Sequence, residues 1–206
     1  STIYTAGFSG IEGFEVTVEC SVRNRVPRFD MVGLGDTAVK EAKERVRAAM
    51  ENNHIPFPHA DVMVNLAPAD IKKEGSHYDL PIAVTLMQLS GNLKKRISDL
   101  AFIGELSLGG EIRRVNGVLP MVIKARETGL KRVVVPPQNA KEAAVVDGID
   151  VYTVRDIVEL KRFLNGEKDL QPVKPEPKNE SDIARFVPDF SQVKGQQLAK
   201  RALEIA

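Results

Sequence analysis

From Phe14 to Val22, FEVTVECSV, apolar and polar residues alternate with the period-two spacing of a strand buried on one face. Arg28–Val32 reads as a short partner strand. The period then lengthens. Val39, Ala42, Val46, Ala49 and Met50 fall on one helical stripe, predicting a helix from Asp36 to about Asn52. Asp36 is placed as its N-cap, its carboxylate accepting a first-turn N–H that has no partner within the helix. Asp61–Leu66, DVMVNL, is a further strand. Asp79–Ser90 is a helix that admits Pro81 in its first turn, stops at Gly91, and takes Ser76 or Asp79 as its cap. Ala101–Leu108 reads as a strand turning at Gly109-Gly110 into Glu111–Val115. Helix Gly117–Thr128, strand Arg132–Val135, a short helix around Ala140–Val146, strand Asp150–Val154 and helix Asp156–Leu164 complete the series. The pattern is mixed α/β, a mixed sheet with packed helices, and forms one domain over residues 1–164.

The texture changes at Asn165. NGEKDLQPVKPEPKNESD carries Pro172, Pro175 and Pro177 among charges and few apolar residues, so 165–188 is expected to be an extended linker. Helical periodicity returns in 189–206, DFSQVKGQQLAKRALEIA, and breaks off without a cap, as expected of the truncated start of a further module.

The 206 residues are 43% hydrophobic and 28% charged, enough apolar content for a substantial core. There is no run of eighteen apolar residues to cross a membrane. The opening residues have neither the basic start nor the apolar stretch of a signal peptide. The single cysteine, Cys20, lies on the buried phase of an alternating strand and excludes an internal disulfide framework, which fits a cytoplasmic location. Net charge is +1, so nucleic-acid binding would need a local patch.

Several motifs suggest chemistry. Gly33-Leu34-Gly35-Asp36-Thr37-Ala38 satisfies G-x-G-x-x-A, but the next strand carries its acid, Asp61, at the wrong end for ribose, so a glycine turn with a helix cap is expected rather than a cofactor site. G-x-x-x-x-G-K-[ST] is absent, so no cofactor is expected on these residues. His54, His59 and His77 lack the spacing of metal ligands, and no metal is expected. Lys72-Lys73 and Arg113-Arg114 have no acid between them and are the candidate phosphate contacts. The helix residues Lys40, Lys43 and Arg47 are interleaved with Glu41 and Glu44 and read as a solvated face. Ser76, His77 and Asp79 are the side-chain types of a hydrolytic triad. Being nearly contiguous, they cannot readily set nucleophile, base and orienting acid in one line, and a loop leading into a helix is expected.

The blocks MVGLGDTAVKEAKERVRAAM, VNLAPADIKKEGSHYDLPIAV, FIGELSLGGEIRRVNGVLP and DFSQVKGQQLAKRALEIA, in that order, resemble the ComM/YifB family of bacterial AAA+ ATPases, often labelled magnesium-chelatase-like. The resemblance implies an N-terminal Lon-protease-like domain, a compact fold shared with a ribosomal protein and containing a left-handed crossover, ahead of an ATPase module. For the full-length protein it implies ATP and magnesium as cofactors, a hexamer, and DNA as partner, in a motor that drives branch migration. Lon's nucleophile lies in D-G-P-S-A-G and its lysine in G-G-L-K. Matching Asp79-Leu80-Pro81-Ile82 to the first motif puts Ile82 at the serine position, and matching Asn116-Gly117-Val118-Leu119 to the second puts Leu119 at the lysine position. On that match the domain is not an enzyme. The alternatives are a Lon-derived serine peptidase using Ser76 or another serine, and a magnesium-chelatase-like subunit.

Overall fold

Eight residues at the N-terminus, β1 (Thr2–Ser9), pair antiparallel along their whole length with β2 (Glu12–Arg23), turning through Gly10 at a φ of +60°. β3 (Arg28–Val32) is followed by α1 (Thr37–Asn52) and β4 (Asp61–Ala67), which lies antiparallel to β2 and parallel to β3. α2 (Asp79–Leu89), β5 (Leu100–Phe102), the small hairpin β6 (Glu105–Leu106) and β7 (Ile112–Arg113), and α3 (Val118–Glu127) come next. The chain continues through β8 (Arg132–Val135), a 3₁₀ turn at Pro137–Asn139, α4 (Ala140–Ala143), β9 (Asp150–Thr153) and α5 (Ile157–Leu164). The computed structural model describes residues 1–94, 97–175 and 195–205. They divide into two units, Ser1–Pro175 and Glu176–Ala206; in the second, Gln197–Ile205 form α6.

Seven strands make one mixed sheet in the order β3-β4-β2-β1-β5-β8-β9, parallel from β1 to β9. Its core lies on both faces, as side-chain alternation dictates. Phe102 and Val134 join Val16, Val18, Val64, Leu66 and the buried faces of α1, α2 and α5. Their neighbours Ala101, Ile103, Val133 and Val135 point the other way, to α3 and α4. α2 is buried almost all round, from Asp79 to Met87, as suits a helix inside a domain.

The expected mixed α/β fold is present, and Asp36 caps α1, its Oδ1 accepting from Val39 N at 2.8 Å. Four local expectations change. β1 was not anticipated: the pattern of a strand buried on both faces lacks alternation. Ala101–Leu108 is not one strand but β5 and β6, separated where Gly104 N donates to His77 O and Gly104 O accepts from Leu80 N. Neither Ser76 nor Asp79 caps α2 through its side chain; the cap position is Tyr78. Residues 165–175, expected in the linker, pack on the domain. Asn165 bonds Lys94 N and Asn92 O, Leu170 and Val173 join the core, and Val173 N donates to Val151 O on β9 at 2.8 Å. The rest of that stretch, 176–188, and the start of the last segment lie outside the described residues.

Cys20 is buried as its strand phase requires, and burial pushes its thiol up to about 12. No helix among the described residues is long and apolar enough to cross a membrane.

Candidate functional site

The loop before α2 is built from main-chain pairing between distant segments. Lys73 N donates to Leu34 O at 3.0 Å and Asp36 N donates to Lys73 O at 2.9 Å, joining the loop to the GLGDTA turn. Asp36 serves both sides: its Oδ1 caps α1 and its Oδ2 accepts from Gly75 N at 3.1 Å. Gly33, at φ +109°, lets the turn press against the Leu66 backbone, where a Cβ would overlap the carbonyl. The glycines therefore serve packing, and the end of α1 that would face a pyrophosphate is occupied by its own Asp36 and by the 73–75 loop.

Ser76, His77 and Asp79, close in sequence, do not bond one another. Ser76 Oγ donates to Glu105 on β6. Asp79 is fully buried and takes a bidentate pair from Arg45 on α1, Nε–Oδ2 2.7 Å and Nη2–Oδ1 2.9 Å, plus Leu106 N at 3.1 Å. Burial pushes the Asp79 carboxyl up to about 6, while the guanidinium's hydrogen bonds and charge pull it back. The same hydrogen bonds raise Arg45, so the pair stays ionised at neutral pH. His77 is 2% exposed, its Nε2 has no partner among the described residues, and its ring lies 4.0 Å from that of Tyr78. Burial lowers its pKa to about 4, so the ring is neutral at pH 7. The expected absence of a linear relay is thus a matter of direction: the carboxylate turns to Arg45 and the hydroxyl to Glu105.

A cavity of about 260 Å³ opens beside this loop, lined by Gly75, Ser76, His77, Glu105, Arg114 and Asn116 among others. Asn139 fixes its far wall. The fully buried Asn139 amide accepts from Val115 N at 3.1 Å and donates to Val115 O at 2.9 Å, holding Arg114 and Asn116 on either side. Sequence reasoning missed Asn139, since a lone Asn after Pro-Pro-Gln reads as a turn residue. Ile82 and Leu119, expected at the protease positions, do not line this cavity. Ile82 is buried inside α2, and Leu119 sits on the first turn of α3, 37% exposed, its N–H donating to Glu142 Oε1 at 3.0 Å.

Of the four candidate phosphate contacts, Lys73 is corrected: it is buried, its ammonium donates to Ile71 O at 2.8 Å, and burial lowers its pKa. Its charge does not reach the surface. Lys72 is exposed and pairs with Glu74 at 2.6 Å. Arg113 and Arg114 are exposed on β7 and its following loop and make no ion pair among the described residues. Arg114 borders the cavity, whereas Arg113 faces a separate open groove with Arg155. His54 and His59 are exposed and His77 is buried, and among the described residues no three His, Cys, Asp or Glu side chains gather as metal ligands would.

Residues 18–139 match the sequence model of the family described as subunit ChlI of Mg-chelatase. The chain is 36% identical over 208 aligned residues to the Competence protein ComM of Haemophilus influenzae, covering 99% of this chain and 40% of that protein. It is 34% identical over 207 residues to the Uncharacterized protein YifB of Escherichia coli, covering 100% of this chain and again 40% of the relative. A peroxisomal Lon protease homolog 2 of Caenorhabditis elegans is 35% identical over 98 residues, 48% of this chain and 12% of that protein. The chain thus spans about two fifths of the length of the ComM and YifB relatives.

Proposed function

The chain belongs to the family described as subunit ChlI of Mg-chelatase, with ComM and YifB proteins among its relatives, and from that premise we propose that Ser1–Pro175 is a non-catalytic, Lon-like domain of a cytoplasmic AAA+ DNA motor. In the full-length protein, ATP and magnesium would be bound by the ATPase module. The assembly would be a hexameric ring acting on DNA during recombination. The relative named a competence protein points to uptake of incoming DNA as the setting. The domain's part is to support the ring or guide the strand.

The observation that carries the non-catalytic reading is the chemistry of the 260 Å³ cavity. A second register for Lon's D-G-P-S-A-G, through Glu74-Gly75, puts at the serine position His77, which lines the cavity, in place of Ile82, which does not. A neutral, buried imidazole there offers no hydroxyl or thiol to attack a carbonyl. The lysine that would take its proton is replaced by the hydrocarbon Leu119. Ser76, the remaining hydroxyl, donates to the Glu105 carboxylate, and Asp79 is committed to Arg45. The supporting chemistry of a peptidase is missing on either register.

Two measurements test the reading. A fluorogenic peptide series incubated with this chain is expected to give no turnover above buffer; turnover abolished by Ser76→Ala would restore the peptidase reading. ATP-driven branch migration by the full-length protein is expected to slow when 1–175 is deleted, with loss of ring assembly or of DNA engagement. Unchanged rate, assembly and DNA affinity after the deletion would end the proposal.

A further inference from the structure

The connection between β2 and β3 reads Arg23-Asn24-Arg25-Val26-Pro27-Arg28, three arginines in six residues with no acid. All three are exposed and none makes an ion pair among the described residues. Val26, at the middle of the loop, is 79% exposed. The acid opposite the strand ends is Asp61, which the sheet register sets across from both Arg23 and Arg28. One acid against three cations leaves this corner strongly positive.

Behind the loop lies a cavity of about 210 Å³ lined by Arg28, Phe29, Lys43, Arg47, Phe57 and one acid, Glu51, among others. It is smaller than the roughly 300–1,000 Å³ of drug-sized pockets. Phe29 and Phe57 stack with ring centres 5.8 Å apart. Lys43 Nζ stands 6.0 Å from the Phe29 centre and the Arg47 guanidinium carbon 5.6 Å from the Phe57 centre. Thus two residues of the α1 face read above as merely solvated, Lys43 and Arg47, lie over aromatic rings. Their acidic partners are Glu44 and Glu51, both half or more exposed.

Taking the DNA role proposed above as its basis, we infer that the β2–β3 loop and the Phe29–Phe57 pocket form a contact site for single-stranded nucleic acid. Arg23, Arg25 and Arg28 hold successive phosphates, and the pocket takes one base onto the Phe57 face that Arg47 now covers. Arg47, half exposed and displaced outward by the base, then pairs with a phosphate. Aromatic faces beside a run of cations are the recurring means of holding single strands without reading sequence. A duplex would keep its bases stacked away from the Phe57 ring.

Fluorescence anisotropy with a fluorescein-labelled oligothymidylate of about twenty nucleotides tests the site on this 206-residue chain. Arg25→Ala/Arg28→Ala, at exposed positions, is expected to weaken binding. It should also lower the slope of log affinity against log salt by about 1.4, two contacts at roughly 0.7 each for a single strand. Phe57→Ala is expected to weaken binding about tenfold, and that loss should vanish on an abasic strand of equal length. Lys72→Ala/Arg113→Ala/Arg114→Ala should bind like the parent. Binding that ignores the loop and Phe57 variants, or that is lost in the triple variant instead, overturns this site and leaves the DNA role standing. No binding by the parent chain overturns this site and leaves the domain only its ring-supporting part. Displacement of the oligonucleotide by polyglutamate at equal charge concentration, with no effect of Phe57→Ala, would assign the corner to an acidic protein segment and overturn the inference.

Discussion

The buried imidazole of His77 sets a specific acid sensitivity. An unfolded histidine titrates near 6.5, and burial without a partner for Nε2 holds the native one at about 4. Between these values the unfolded chain binds the proton and the native domain does not, so stability from this group is present above pH 6.5 and is lost as pH falls toward 4. At pH 5 nearly every unfolded chain carries the proton but only about one native molecule in ten does, and linkage converts the difference into about 2 kcal/mol of destabilisation relative to pH 8. A bare pH curve would conceal it. The Asp79 carboxyl, pushed up to about 6, makes the native state the better proton binder between about pH 4 and 6, and its contribution runs in the opposite direction. The measurement is therefore a difference: urea unfolding of the parent and of His77→Leu, followed by circular dichroism at pH 8 and pH 5. The parent should lose about 2 kcal/mol more than the variant on acidification. A parent-minus-variant difference that stays constant within about 0.5 kcal/mol would refute the argument, as would a His77 ring resonance titrating near 6.5 by NMR.

Two further outcomes follow from named contacts. Arg45→Met leaves the Asp79 carboxylate buried without its cation and should cost about 3–5 kcal/mol in chemical denaturation. Arg45→Met/Asp79→Leu should recover most of it; a double variant as unstable as the single would mean the pair is not the cause. Gly7→Ala puts a methyl group into the Phe14 ring and the Tyr78 hydroxyl and should cost about 2–3 kcal/mol. Gly91→Ala, where the added methyl meets open space at φ +70°, should cost about 1 kcal/mol from backbone strain alone. Equal thermal shifts for the two would contradict the packing at Gly7.

Legibility in the sequence followed the amount of one-sided burial. β2, β4 and α1 each present one buried face, and their boundaries came within a residue or two of the strands and helix found. The Asp36 cap was equally plain, since the capping geometry is local. β1 has apolar, hydroxyl and small side chains buried on both faces, and nothing in TIYTAGFS alternates. The site was hardest to read because its chemistry depends on partners far along the chain. Asp79 looks like a helix cap until Arg45, 34 residues earlier, is found across from it. Lys73 looks like a surface cation until its ammonium is traced to Ile71 O under the GLGDTA turn. The arginines of the β2–β3 loop were visible in the sequence, but only the sheet register and the Phe29–Phe57 stack give them a common surface.

The segment after α5 has a mechanical consequence. Because Leu170 and Val173 are packed and Val173 N is bonded to Val151 O, the chain leaves the domain at the outer edge of the sheet rather than at the end of α5. Tension applied beyond Pro175 would load that single bond first. Once it yielded, about ten residues of slack would be released before the load reached α5. The domain thus carries a short fuse at its exit, one that can give way under force while the sheet and the 260 Å³ cavity stay folded.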